Sequence, residues 1–209
     1  MERENMKGKI ALTVIGAATL LVALAGATFA YFSATSTTTT QTVTTSSMDL
    51  TVEADTNTTH IENIKPTTWS DTVSDNVANS DIAKVSFKVT STSTAAGTYQ
   101  IKMTAPGLAL NTGNDADGNK LVGGTLDQVM YKVYKVNGST YTPVTATEAT
   151  GDLSDPSAAK LIVTDAAISG TLNDQYVIFV YIENDDKSPQ NQLQGLDFEI
   201  SVTGSAAQA

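Results

Sequence analysis

The distribution of apolar and polar positions divides the chain into three parts. Residues 10–32 form one uncharged and mostly apolar run. Residues 31–47 are almost entirely Thr and Ser, and from residue 48 onward short alternating segments are separated by turn-forming clusters. This pattern predicts a leader over residues 1–30, a Thr/Ser-rich arm over 31–47 and one β domain over 48–209.

The leader has the features of a secretory signal peptide. Lys7 and Lys9 precede the apolar run, and the small residues Thr28 and Ala30 flank a single larger one at its end. We predict cleavage after Ala30, so that the mature chain begins at Tyr31. The alternative is a retained membrane helix, because about 20 apolar residues span a bilayer. No cluster of positive charge follows the run, which favours cleavage.

The β domain is predicted to be all-β, an antiparallel β-sandwich with a jelly-roll-like or immunoglobulin-like topology. Residues 176–182 are continuously apolar, so this strand should be central and buried on both faces. The pair Asn137-Gly138 predicts a two-residue hairpin turn. The other strands are predicted over residues 48–53, 83–89, 99–103, 129–136, 140–144, 161–163 and 196–202.

Three finer expectations accompany this assignment. The strands at 83–89 and 99–103 are expected to form a hairpin-like pair. No segment after the leader has the 3.6-residue periodicity of an amphipathic helix, although residues 155–161 could form one short helical turn. Ile61, Ile64 and Trp69 are expected to anchor the polar segment 54–82 to the core.

Charge and composition narrow the classes of partner. The whole chain has a formal net charge of −10, and beyond residue 30 twenty acidic residues face nine lysines and no arginine, a balance of about −11. A polyanion repels nucleic-acid phosphates and anionic membranes, so neither is expected as a partner, and membrane contact is expected only through the leader. The chain has no cysteine, which excludes disulfides, thiol catalysis and Cys-ligated zinc.

Catalytic and metal-binding motifs are not found. His60 is the only histidine, so neither an H-E-x-x-H zinc motif nor a serine triad with the usual base can be assembled. We therefore predict no catalytic residue, no cofactor and no enzyme activity. Asp115, Asp117 and Asn119 are weak calcium candidates, but the EF-hand spacing is not met, and a surface Asp-Gly turn explains the same residues.

The leader resembles that of the TasA/camelysin family. The resemblance is carried by GATFAYFSATST, by SSMDLTVEA after it, by the Ile-Lys-Pro at 64–66 and AKVSFKVTST, and by the ending ISVTGSAAQA. Ala27 and Ala34 depart from the residues common in the family. The resemblance implies an exported β-sandwich protein of the cell surface or biofilm matrix, processed by a dedicated signal peptidase. The matching positions are Gly26, Thr28, Phe29, Ala30, Phe32, Ser33 and residues 48–52.

The resemblance also implies assembly into a fibre by donor-strand complementation. The arm of one subunit would complete the sheet of the next, giving a head-to-tail homopolymer, and strand addition of this kind relies mainly on main-chain hydrogen bonds. The candidate donor-strand residues are Thr35, Thr37, Thr39, Gln41 and Val43.

Four alternatives remain open at this stage. The arm could be a disordered stalk, and the domain could be a monomeric adhesin. A camelysin-type surface metallopeptidase lacks a recognisable zinc motif here. A pilin-type leader is disfavoured because Gly8 is followed by Lys9, and Thr13 stands where such leaders carry glutamate.

Overall fold

The computed structural model describes residues 40–44, 49–55, 59–93, 95–114 and 118–208. The predicted leader and the first part of the arm lie outside the described residues. One short helix, α1 (Val73–Ala78), and two 3-10 turns accompany the strands. The strands are β1 (Thr40–Thr44), β2 (Asp49–Ala54), β3 (His60–Glu62), β4 (Pro66–Thr67), β5 (Ala83–Ser91), β6 (Gly97–Thr104), β7 (Val129–Asn137), β8 (Thr140–Pro143), β9 (Thr150–Asp152), β10 (Lys160–Ile168), β11 (Leu172–Glu183), β12 (Asp197–Glu199) and β13 (Ser201–Gln208).

The strands form a large sheet, a three-stranded sheet and a small two-stranded one. The large sheet has the order β1-β2-β5-β11-β7-β8, with β9 also paired to β7 and β4 paired to the end of β11. The second sheet has the order β10-β6-β13, and β12 pairs with β3. Every pair is antiparallel except β4 with β11. The predicted mostly antiparallel, all-β class is confirmed and a sandwich agrees with it, whereas a jelly-roll-like connectivity stays a prediction.

Strand β11 lies at the centre of the large sheet and is buried on both faces. Its even-numbered side chains from Tyr176 to Ile182 join the main hydrophobic core, which includes residues of both larger sheets. Val177, Phe179 and Tyr181 point the other way and join a second apolar cluster on the outer face. The prediction from the continuous apolar run at 176–182 is therefore confirmed.

The outer cluster is covered by α1 and by Trp69, which the sequence analysis predicted as an anchor. The Trp69 ring lies 5.6 Å from Phe179 and 5.0 Å from Tyr181, centroid to centroid. Buried Asn76 on α1 fixes the adjoining segment, because its amide nitrogen donates to the Ser70 carbonyl at 2.6 Å and its amide oxygen accepts from the Ser70 N–H at 2.9 Å. Periodicity did not predict α1, since its six residues are too few to show a 3.6-residue stripe.

Other local predictions need correction. The expected pairing of the strands at 83–89 and 99–103 is wrong: β6 pairs with β10 and β13, so the chain crosses from one sheet to the other after β5. Strand β10 is longer than predicted because two register shifts interrupt its alternation. Residues 155–159 form bends and turns rather than a helix. The hairpin is confirmed, although its turn residues are Gly138 and Ser139 rather than Asn137 and Gly138.

A polar cluster joins the two larger sheets inside the core. The hydroxyl of Tyr99, on β6, lies 2.6 Å from Oδ2 of Asp174 and 2.5 Å from the hydroxyl of Tyr176, both on β11. Lys135 of β7 pairs with the other oxygen of Asp174 at 2.7 Å. Burial raises the pKa of Tyr176 to about 12 and raises that of Tyr99 further, so both phenols stay protonated and can donate.

We expect Tyr99→Phe to lower the free energy of unfolding by about 1–3 kcal/mol, because it leaves buried polar groups of Asp174 and Tyr176 with one partner fewer. Urea denaturation measures this difference. Tyr141→Phe is the matched control, since Tyr141 is partly exposed, and should change stability by less than about 0.5 kcal/mol. Equal effects of the two substitutions would contradict a stabilising role for the cluster.

Candidate functional site

The end of the large sheet at β1 is the candidate functional site. Strand β1 comes from the Thr/Ser-rich arm and folds back onto β2 of the same chain. Gln41 is registered with Val52, and Val43 with Leu50. Because β1 is the terminal strand of its sheet, β2 is the one strand to which it is laddered among the described residues. A five-residue main-chain ladder joins it to β2, and β1 also lies near β13 of the second sheet.

Only part of the predicted donor strand can be located. Gln41 and Val43 lie in β1, so the arm residues that the structure describes are extended, as a donor strand requires. The other candidate donor and cleavage residues lie outside the described residues: Thr35, Thr37 and Thr39, and Thr28, Ala30 and Tyr31.

Strand β2 is held in place by its side chains as well as by its main chain. Its alternate side chains Leu50, Val52 and Ala54 are buried in the main core. On the opposite sheet, Gly204 of β13 approaches so closely that an added Cβ would lie 2.4 Å from Cγ2 of Val52 and 3.2 Å from Cδ2 of Leu50. Sequence reasoning missed this contact, although a glycine inside a strand is the usual signal for close approach.

Asp49 secures the first residue of β2. Its carboxylate accepts hydrogen bonds from the Thr92 N–H at 3.0 Å and from the Thr92 hydroxyl at 2.8 Å, just beyond the end of β5. The bond from the Thr92 hydroxyl is the main reason that the pKa of Asp49 is lowered. A lowered folded-state pKa stabilises the fold at pH values above the unfolded value of about 3.9, and this contribution is lost as the pH falls through the folded value.

The residues considered for chemistry are not brought together. His60 Nε2 lies 3.4 Å from Oδ1 of Asp197, and both side chains are about half exposed or more, at 49% and 71%. Asn119 is exposed, while Asp115 and Asp117 lie outside the described residues. Within the part of the chain that the structure describes, no group of three or more His, Cys, Asp or Glu side chains could hold a metal ion.

The helical content gives no membrane span within the described ranges. No helix there is both long and apolar enough to cross a bilayer. The apolar run at residues 10–32 lies outside those ranges.

Comparison with known proteins identifies the family to which the chain belongs. The described residues form a mostly antiparallel β domain, which agrees with the β-sandwich class that the resemblance implies. The family described as camelysin metallo-endopeptidase matches residues 5–209. The chain therefore belongs to this family, and the predicted relationship is confirmed. No curated protein matches the chain.

Gly204→Val tests the close contact between the sheets below β2. We expect a loss of about 2 kcal/mol or more in the free energy of unfolding, because the new side chain would overlap Val52 and Leu50 in a packed core. The matched control is Ser205→Val, the next residue on the same strand, which should stay within about 0.5 kcal/mol of the parent. Urea denaturation of both variants gives the comparison, and similar losses would show that β2 does not press on Gly204.

Proposed function

We propose that this protein is a secreted structural subunit of an extracellular fibre or biofilm matrix. The leader is removed after Ala30 during export, and the freed arm of each subunit adds a strand to its neighbour. The partners are other copies of the same chain, joined head to tail, and the signal peptidase acts on each copy once. The site of action is outside the cell, at its surface or in the matrix.

The observation that carries the proposal is the position of β1. Residues 40–44 of the arm occupy the end of the large sheet through a main-chain ladder to β2, and the segment 45–48 is all that links them to that strand along the chain. A strand of this kind can be replaced by an equivalent segment of another copy, because the same hydrogen bonds form with either donor. The edge of β2 is thus the proposed acceptor and residues 31–47 the proposed donor.

The composition of the arm supports the same role. Apart from Tyr31, Phe32 and Val43, residues 31–47 are Ser, Thr, Ala and Gln. β-branched threonine favours extended backbone without contributing large apolar surface. Such a segment can pair along an edge and can also remain soluble before it pairs.

Deletion of residues 31–47 tests the proposal. We expect the shortened chain to remain a folded monomer, because the buried residues of β2 and the rest of the core are retained, and to form no fibres. Electron microscopy and sedimentation measure assembly, and circular dichroism measures folding. Fibres forming normally from this variant would remove the donor-strand proposal.

A synthetic peptide added to the shortened chain gives a second test, of strand pairing itself. A synthetic peptide of residues 31–47 should bind the shortened chain at a ratio of one to one, whereas a peptide with Gln41→Pro and Val43→Pro should not bind. Proline removes the ladder N–H and is excluded from most paired positions of a strand. Equal binding of the two peptides would contradict pairing through the main chain. A soluble monomer that neither assembles nor binds the peptide would favour the adhesin instead.

The family description raises metallopeptidase activity as the second candidate. We propose that this chain lacks it, on the basis of its single histidine and of the described residues, which assemble no metal cluster. We expect no hydrolysis of an unfolded protein substrate above a buffer blank, with or without added Zn²⁺. Hydrolysis that a chelator abolishes, and that added Zn²⁺ restores, would establish a peptidase and refute this part of the proposal.

A further inference from the structure

The outer face of the large sheet carries a groove of about 510 Å³. This volume lies in the range of sites that hold a ligand or a pair of large side chains. The groove runs across β2, β5, β11, β7 and β8, beside α1. Its lining includes Val77, Val136, Tyr141, Val177 and Phe179 on the apolar side and Glu53, Asp55, Lys84, Ser86, Lys88 and Gln175 on the polar side.

The two sides of the groove suit different chemical groups. Val77, Val136 and Tyr141 supply its partly exposed apolar surface, above the buried side chains of Val177 and Phe179. Glu53 and Asp55 place carboxylates on the β2 side. The ammonium group of Lys84 donates to the main-chain carbonyl of Asn79 at 3.0 Å, beyond the end of α1. Lys88 is registered opposite Glu53, so the two lysines of the lining balance its two carboxylates and the groove suits an apolar group.

The register of β1 directs the preceding chain toward this groove. Thr40 is paired with Glu53, and the two strands are antiparallel. The N-terminal end of β1 therefore lies at the end of β2 that leads to Asp55. Asp55 in turn donates its N–H to the Ser86 carbonyl at 2.9 Å, at the lining of the groove.

We propose that the first two residues of the mature chain, Tyr31 and Phe32, dock into this outer-face groove of their own subunit. They are the only large apolar residues between the predicted cleavage site and β1, and the seven residues 33–39 that separate them from β1 are Ser, Thr and Ala. Eight extended residues reach about 26–29 Å. The centre of the groove above β11 lies three strand spacings from β1, or about 14 Å.

Aromatic burial supplies the driving force for this docking. Tyr and Phe rings bury large apolar areas, and the partly exposed ring of Tyr141 offers them an aromatic contact. Cleavage also creates an α-ammonium group on Tyr31, which can approach Glu53 and Asp55. Both carboxylates are exposed, so this pairing adds little and mainly orients the segment. Because both partners belong to one chain, the opposing cost is loop closure rather than association.

The inference rests on the leader cleavage that forms part of the proposed function, but not on fibre formation. In the unassembled subunit it places Tyr31 and Phe32 on the face of the large sheet rather than at its edge. Residues 33–39 would then cross from the end of β1 to the groove before any neighbour is present. The test uses a chain that begins at Tyr31, so export is not needed.

The absence of cysteine allows a disulfide test of proximity. Two double variants are compared, Ser33→Cys with Ser86→Cys and Ser33→Cys with Ser205→Cys. Ser86 lines the groove on β5, whereas Ser205 lies on β13 of the other sheet. The proteins are oxidised mildly at a concentration where they are monomeric, and the rates of the two intramolecular disulfides are measured by mass spectrometry.

We expect the disulfide to the groove position to form about tenfold faster, because docking raises the effective concentration of that thiol pair. Adding Tyr31→Ser and Phe32→Ser should abolish the preference without unfolding the domain. Equal rates, or a preference that survives loss of both aromatic rings, would overturn the inference. Intermolecular products at the groove position would assign the groove to a second copy and overturn docking within one subunit. Failure here would leave the peptide-binding test of the β2 edge unaffected.

Discussion

The fold depends on the burial of β11 on both of its faces. One set of its side chains fills the core between the two larger sheets, and the other set requires a cover on the outside of the large sheet. Trp69 and α1 supply that cover at one end of the strand. The Nζ atom of Lys132 lies 4.4 Å from the centroid of the Trp69 ring and adds a cation–π contact at its rim. The same face, beyond the cover, is where the groove lies.

The last two strands at one end of the large sheet, β1 and β2, are attached to the rest of the molecule in different ways. At β2 the backbone is fixed by core side chains, by the close approach of Gly204 and by the hydrogen bonds of Asp49. At β1 the structure shows a main-chain ladder to β2 and proximity to β13. The strand exchange that we propose would require a rigid acceptor, because the acceptor must keep its shape while its partner changes. The metallopeptidase described by the family name would instead require ligands that converge on one point, and the described residues offer none.

Much of the fold follows from the sequence, for identifiable reasons. Strict alternation located β2, β5 and β6, and the continuous apolar run of residues 176–182 identified the central strand. Alternation shows that a strand has one buried face, but not which sheet it joins, so the partner of β6 was assigned wrongly. Helix α1 was missed because its position depends on Asn76 and Ser70 rather than on periodicity. The pairing of β1 with β2 of the same chain was not predicted, because the residues 45–48 between them contain no Asn-Gly or Asp-Gly hairpin signal.

The order of the strands has a consequence for how fast the chain folds. Strand β5 pairs with β11, and β6 pairs with β13 at the far end of the sequence, so neither larger sheet can form until nearly the whole polypeptide has been made. Folds dominated by pairings between distant segments form slowly, because loop closure precedes the contacts that compensate for it. A chain of this kind stays unfolded for longer than a helical bundle of the same size. Slow folding would suit the export that we propose, because a chain crosses a narrow secretion channel unfolded, and a chain without cysteine forms no disulfide afterwards.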